Sequence, residues 1–157
     1  KILLLSRNKL FYTQFDLGDT FQNRIILIFI HISFLFININ RFKENKKYKL
    51  FHQNMFDSIF RKIELDMREI GYGDVVINKN MKFLVKSFYS ILLYCENYKK
   101  KTLKSKNNFL TKWFKSNIDH KSRNYQPLID YFNKYEAFCF DLSSDSVLEG
   151  KINFNYK

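Results

Sequence analysis

Between residues 56 and 95, apolar side chains recur twice at steps of three and four, and a glycine-bracketed turn separates the two runs. Phe56, Ile59, Phe60, Ile63, Met67 and Ile70 fall on one face of a 3.6-residue helix, and Met81, Leu84, Val85, Phe88, Leu92 and Cys95 on one face of a second. Gly71 stands where a left-handed C′ residue ends the first helix, and Asn78 is placed to N-cap the second. The pattern predicts a helical hairpin with its elbow at Gly71-Tyr72-Gly73-Asp74. Most helical stability comes from burying an apolar face, so the two helices must pack on each other and on further elements.

Upstream, residues 25–37 (IILIFIHISFLFI) form the most apolar run. At 1.5 Å per residue its thirteen positions span roughly 20 Å, short of a hydrocarbon core of about 30 Å, and it carries His31 and Ser33. A helix buried on all sides is favoured over a membrane span or a strand, with Asp19 or Thr20 as N-cap and with Arg41 and Lys43 near its exit. The basic-then-apolar start KILLLS is too short for a signal-peptide core, and the missing initiator methionine points to a chain that starts inside a longer one. Downstream, residues 109–114 and then Leu128, Ile129, Phe132 and Tyr135 give two shorter amphipathic patterns, the latter with Pro127 in its first turn. From Ser143 onward no helical period is visible, and a loosely ordered tail is expected over residues 143–157. The fold expected for residues 1–142 is a single compact all-α domain, a bundle of about five or six helices around the central hairpin.

Charge changes this picture because it is localised. Residues 41–49 hold five basic and one acidic side chain and residues 99–123 hold nine and one, which together account for the whole net charge of +12. Such clustering marks a surface that attracts a polyanion, either RNA or an anionic membrane leaflet, with Lys99, Lys100, Lys101, Lys104, Lys106, Lys112 and Lys115 as candidate contacts. Two solvated lysine-rich linkers are the plainer alternative. In the RNA version, Phe109, Trp113 and Phe114 would stack on bases.

Catalytic chemistry is not written into the chain. His31, His52 and His120 are scattered, no HExxH, CxxC or Glu-x-x-His pattern occurs, and neither a phosphate-binding glycine loop nor a GxSxG elbow is present. Cys95 and Cys139 read as small core residues of a reducing compartment, with a disulfide left open. No enzyme activity, cofactor or metal is expected. A lone histidine in an apolar helix, such as His31, is ordinarily a core residue with a hydrogen-bonded ring nitrogen. Arg68 in a last helical turn suits the helix dipole, and Asp74 is placed to hold the elbow by an Asx-type hydrogen bond.

The wording of the hairpin resembles the ubiquinol-cytochrome c chaperone family, the assembly factors of respiratory complex III found in alphaproteobacteria and mitochondria. The matching residues are Phe56-Asp57, then Arg68-Glu69-Ile70-Gly71-Tyr72-Gly73-Asp74, Lys79, Met81-Lys82 and Phe88-Tyr89. Upstream, Phe11-Tyr12, Asp19-Thr20, Arg24 and His31 follow in the family's order, while Lys62, Met67 and Ser90-Ile91 depart from its pattern. The resemblance implies a non-catalytic chaperone that binds newly made cytochrome b near the membrane, with a small co-chaperone and the ribosome or an anionic membrane surface as further candidate partners. Its implied setting is the inner face of a bacterial inner membrane or a mitochondrial matrix. Carried onto this chain, it makes Arg24, His31, Asp57, Arg68, Glu69, Gly71, Tyr72, Gly73, Asp74, Lys79, Lys82, Phe88 and Tyr89 the candidate partner-binding residues. A basic RNA-binding or ribosome-binding module, or a peripheral membrane protein without a chaperone role, is the alternative.

Overall fold

One apolar helix, α3 (Phe21–Asn40), runs through the centre of the molecule, and the other long helices wrap it. The computed structural model describes residues 1–41, 46–114 and 124–156. Two short N-terminal helices, α1 (Ile2–Ser6) and α2 (Leu10–Thr13), precede α3. The hairpin arms α4 (Lys46–Ile70) and α5 (Asp74–Cys95) follow, then a 3-10 turn at Tyr98–Lys100, α6 (Leu103–Trp113), α7 (Gln126–Asp141) and the short α8 (Ser144–Leu148). Among the described residues there is no strand, and the all-α bundle expected from the sequence is what forms.

The central helix starts at Thr20, whose hydroxyl accepts a hydrogen bond from the Asn23 amide at 3.1 Å, and ends at Asn40. It is twenty residues long, about two turns more than a thirteen-residue apolar run implies, and by length and composition it could cross a membrane. Its setting decides otherwise, because 83% of its apolar window is covered by the rest of the protein. Polar residues extend the helix at both ends because remote backbone satisfies them: Asn23 Nδ2 donates to Gly18 O at 2.8 Å, and Asn38 Nδ2 donates to Leu142 O at 3.0 Å. A helix that is apolar all round is stable only when surrounded, and each fully buried Ile or Phe here contributes about 1.5–3 kcal/mol.

The hairpin forms as its periodicity predicts. Phe60, Ile63 and Met67 of α4 and Leu84, Phe88, Ile91 and Cys95 of α5 are buried, and both arms pack on α3. Two details differ. Ile70, the last residue of the first stripe, is exposed, because the chain leaves the helix there and the buried face ends at Met67. The second arm begins at Asp74 with Gly73 at the cap position, one turn ahead of Asn78. An acidic side chain in the first turn suits the positive end of the helix, so the helix extends back to meet Asp74 instead of waiting for an amide cap.

The tail also differs from expectation. Ser143 caps α8, Val147 is buried, and beyond it Ile152, Phe154 and Tyr156 turn alternately inward. Phe154 meets the rings of Tyr131, Tyr135 and Phe138 at centroid distances of 5.5, 5.0 and 5.2 Å, and Tyr156 meets Phe15 at 6.0 Å. The segment shows no helical period because its last part is extended, with a period of two.

Candidate functional site

At the elbow, local sequence fixes the geometry. Gly71 has φ +98°, a conformation that side chains with a Cβ rarely adopt. Its amide donates to Arg68 O at 3.0 Å and that of Tyr72 to Met67 O at 3.1 Å, the paired bonds of a Schellman helix ending. Across the turn, the Arg68 guanidinium bridges the Glu64 carboxylate at 2.9 Å and that of Asp74. Asp74 therefore holds the elbow through an ion pair rather than an Asx turn, and hydrogen bonds to both carboxylates, Glu64 first, raise the pKa of Arg68. Ile70, Tyr72, Val75 and Val76 project from this tip, with Val75 83% exposed. Glu69 is exposed beside them.

Behind the elbow an aromatic cluster joins the two arms. Phe56 packs against Phe60 with centroids 4.4 Å apart and meets Phe88 at 5.5 Å and Tyr89 at 5.9 Å, while Phe29 of α3 touches Phe60 and Phe88. Such ring pairs add about 0.5–1.5 kcal/mol each beyond burial. Phe88 is a core residue of this cluster and presents no surface to a partner, whereas Tyr89 beside it is exposed. Asp57 is exposed and accepts from Gln53 Nε2 at 2.9 Å. Lys79 and Lys82 stand on the outer face of α5.

The upstream candidates sit elsewhere. Arg24 grips Asp19 in a two-pronged pair at 2.7 and 2.8 Å, which lowers the Asp19 pKa, and this exposed pair flanks the start of α3. His31 is fully buried among the rings of Phe11, Phe132 and Tyr135. Its Nδ1 lies 2.6 Å from Leu27 O and its Nε2 lies 2.8 Å from the Tyr131 hydroxyl. A carbonyl only accepts, so Nδ1 carries the proton and Nε2 accepts from Tyr131. Burial pushes the His31 pKa down to about 4, which keeps the ring neutral. His31 thus ties α3 to α7 and cannot touch a partner from where it lies.

The basic candidates divide. Lys104 and Lys112 line a cleft between α5 and α6, Lys101 lies 5.2 Å over the Tyr94 ring, and Lys99 and Lys100 line a cavity between α3 and α7. Lys106 turns inward, donates to Asn133 Oδ1 at 2.7 Å and sits 4.2 Å over the Tyr98 ring, so it is unavailable to a polyanion. Lys115, Lys43 and His120 lie outside the described residues. Phe109, Trp113 and Phe114 are buried, which removes them as base-stacking platforms. Cys95 and Cys139 are buried free thiols whose pKa burial raises, Cys139 to about 12. Among the described residues no cluster of His, Cys, Asp and Glu is arranged to hold a metal.

Sequence reasoning missed one group. Val75, Val76, Phe83 and Leu93 are all exposed on the outward side of α5, beside the candidate Tyr89. Their signal was present as apolar residues off the stripe, at positions a purely solvated face would fill with polar side chains.

The model of the ubiquinol-cytochrome C chaperone family matches residues 13–154. The fold is similar to the crystal structure of the Cbp3 homolog from Brucella abortus, with a TM-score of 0.79 and 24% sequence identity over 99% of this chain and 84% of that one. No curated protein matches the chain at a significant level.

Proposed function

The chain belongs to the ubiquinol-cytochrome C chaperone family, and from that premise we propose that it is a non-catalytic assembly factor whose client is newly made cytochrome b. The observation that carries this reading is the elbow. The family-like run Arg68 to Asp74 builds a rigid turn, and that turn holds Ile70, Tyr72, Val75 and Val76 in solvent at the end of the bundle. A polytopic membrane protein exposes apolar helices before its cofactors and partner subunits are in place. An apolar tip on a rigid hairpin supplies a place for such a helix to rest, and the exposed Glu69 and Arg68 beside it supply polar edges. The expected setting is a bacterial inner membrane or a mitochondrial matrix, with a small co-chaperone and the ribosome as further partners.

Pull-down of the tagged full chain in mild detergent should recover cytochrome b. The double variant Ile70→Asp/Val75→Asp should lose it while keeping the wild-type circular dichroism spectrum. Recovery of no complex III subunit, together with normal complex III after deletion of the protein, overturns the proposal.

A further inference from the structure

We propose that the outward face of α5, together with the cleft between α5 and α6, docks this protein on the anionic leaflet of a phospholipid membrane, with a lipid headgroup phosphate held in the cleft. The inference goes beyond the client reading and rests on residues outside the apolar tip, with Lys79 and Lys82, named above as partner-binding candidates, assigned to the leaflet. At 1.5 Å per residue α5 is about 33 Å long, with the client tip at its start and the cleft near its end.

Between residues 75 and 95 the chain has three lysines and no acidic residue. All three, Lys79, Lys82 and Lys86, are exposed, and no carboxylate pairs with them among the described residues. They recur at one-turn spacing along the outer side of the helix. Phe83 and Leu93 flank that row and are 55% and 69% exposed. A helix face that combines large apolar side chains with lysines and lacks acids matches the boundary between headgroups and acyl chains. The apolar groups enter the acyl region while the lysine stems lie along it and deliver their charge to phosphates.

The cleft continues this surface. Ser90, one turn beyond Lys86, lies both on the outer side of α5 and in the cleft wall. The cleft has a volume of about 460 Å³, its polar wall includes Lys104, Asn108 and Lys112, and no carboxylate lines it. Its base is the stacked pair of Tyr94 and Phe109, with centroids 3.9 Å apart. Two cations with hydroxyl and amide donors, and no acid, fit a phosphate ester. The larger cavity between α3 and α7 does not, because Glu96, Glu136 and Asp141 stand among its cations. A leaflet is favoured over RNA because the charge lies beside exposed aliphatic and phenyl groups, while Trp113, Phe109 and Phe114 are buried. The surface lysines here are each worth about fivefold in affinity for an anionic leaflet.

Trp113 is the single tryptophan and lines the cleft, so its emission reports occupancy. The full chain should float with phosphatidylcholine vesicles containing phosphatidylglycerol and not with pure phosphatidylcholine, its Trp113 emission should shift, and added salt should reverse both. Lys82→Glu/Lys86→Glu should weaken flotation by roughly tenfold or more. Lys104→Glu/Lys112→Glu should abolish the emission shift. Arg61→Glu on α4 should leave both unchanged. Absence of flotation at low salt, equal weakening by Arg61→Glu, or RNA binding without vesicle binding each overturns the proposal. So does an emission shift produced by inorganic phosphate without flotation. Cytochrome b recovery in detergent is independent of these outcomes, so the two proposals fail separately.

Discussion

The two arms of the hairpin bury the same kind of face against α3 and turn opposite kinds of face outward. Along α4, residues 53–69 carry three Lys or Arg and four Asp or Glu. Many are tied to each other along the helix, as in Lys62 with Asp66, Arg68 with Glu64 and Gln53 with Asp57. Over that stretch the charges nearly cancel. Along α5 beyond Asp74, which is paired with Arg68, the outer positions hold lysines and large apolar residues without an acid, so this stretch is left with both a charge and an oily surface unanswered. Helix formation asks only for one apolar face. What a helix carries on its other side is therefore open to function, and the contrast between the arms locates that freedom on α5.

The sharpest way to break this contrast is to truncate the same residue type on the two sides of α5. Phe88→Ala removes a ring packed among Phe29, Phe36, Phe56 and Phe60 and should cost about 3–5 kcal/mol in urea unfolding. Phe83→Ala, on the outer side, should stay within about 0.5 kcal/mol of the wild type. Similar costs for both would mean that the outer face is covered within the protein itself.

His31 probes the buried side by pH. In the unfolded chain its ring takes up a proton near pH 6.5, whereas in the fold it stays neutral until about pH 4. The unfolded state binds the extra proton between these values, so stability is unaffected above pH 6.5 and declines as the pH drops through that window. The loss approaches about 3 kcal/mol. Comparison of the wild type with His31→Gln across the window should show this slope only in the former; equal slopes would place His31 in contact with water.

The smallest effect concerns the joint that sets which side of each arm faces out. Gly71→Ala meets no neighbouring atom within 4 Å, so its cost is the backbone conformation alone, about 1–2 kcal/mol by thermal unfolding. Gly73→Ala, with φ −74°, should cost far less, since any residue adopts that angle. Equal costs would show that the elbow is held by packing rather than by its dihedral angles.

The hairpin was legible because both its signals are local, a 3.6-residue period and a glycine at the helix end. The ends of α3 were not. Asn23 and Asn38 look like loop residues until Gly18 O and Leu142 O are placed beside them, and the second partner is 104 residues away. The inward lysine, Lys106, depends in the same way on Asn133, and the role of His31 on Tyr131, one hundred residues distant. The start of α5 was misplaced because Asn78 is a good cap by residue type, yet the Arg68–Asp74 pair rewards an earlier start. The tail was legible in principle, through the alternation Ile152, Phe154, Tyr156. It was obscured because a search for helical spacing passes over a period of two.

The central helix leaves the ribosome well before the elements that enclose it. Tyr131, which satisfies His31, and Phe154, which packs on Tyr131, are both made after it, so during synthesis a stretch greasy enough for insertion machinery is without much of its cover. A protein proposed to shelter unfinished membrane helices thus faces, for the first part of its own life, the same hazard as its client, and the helices made after α3 remove it.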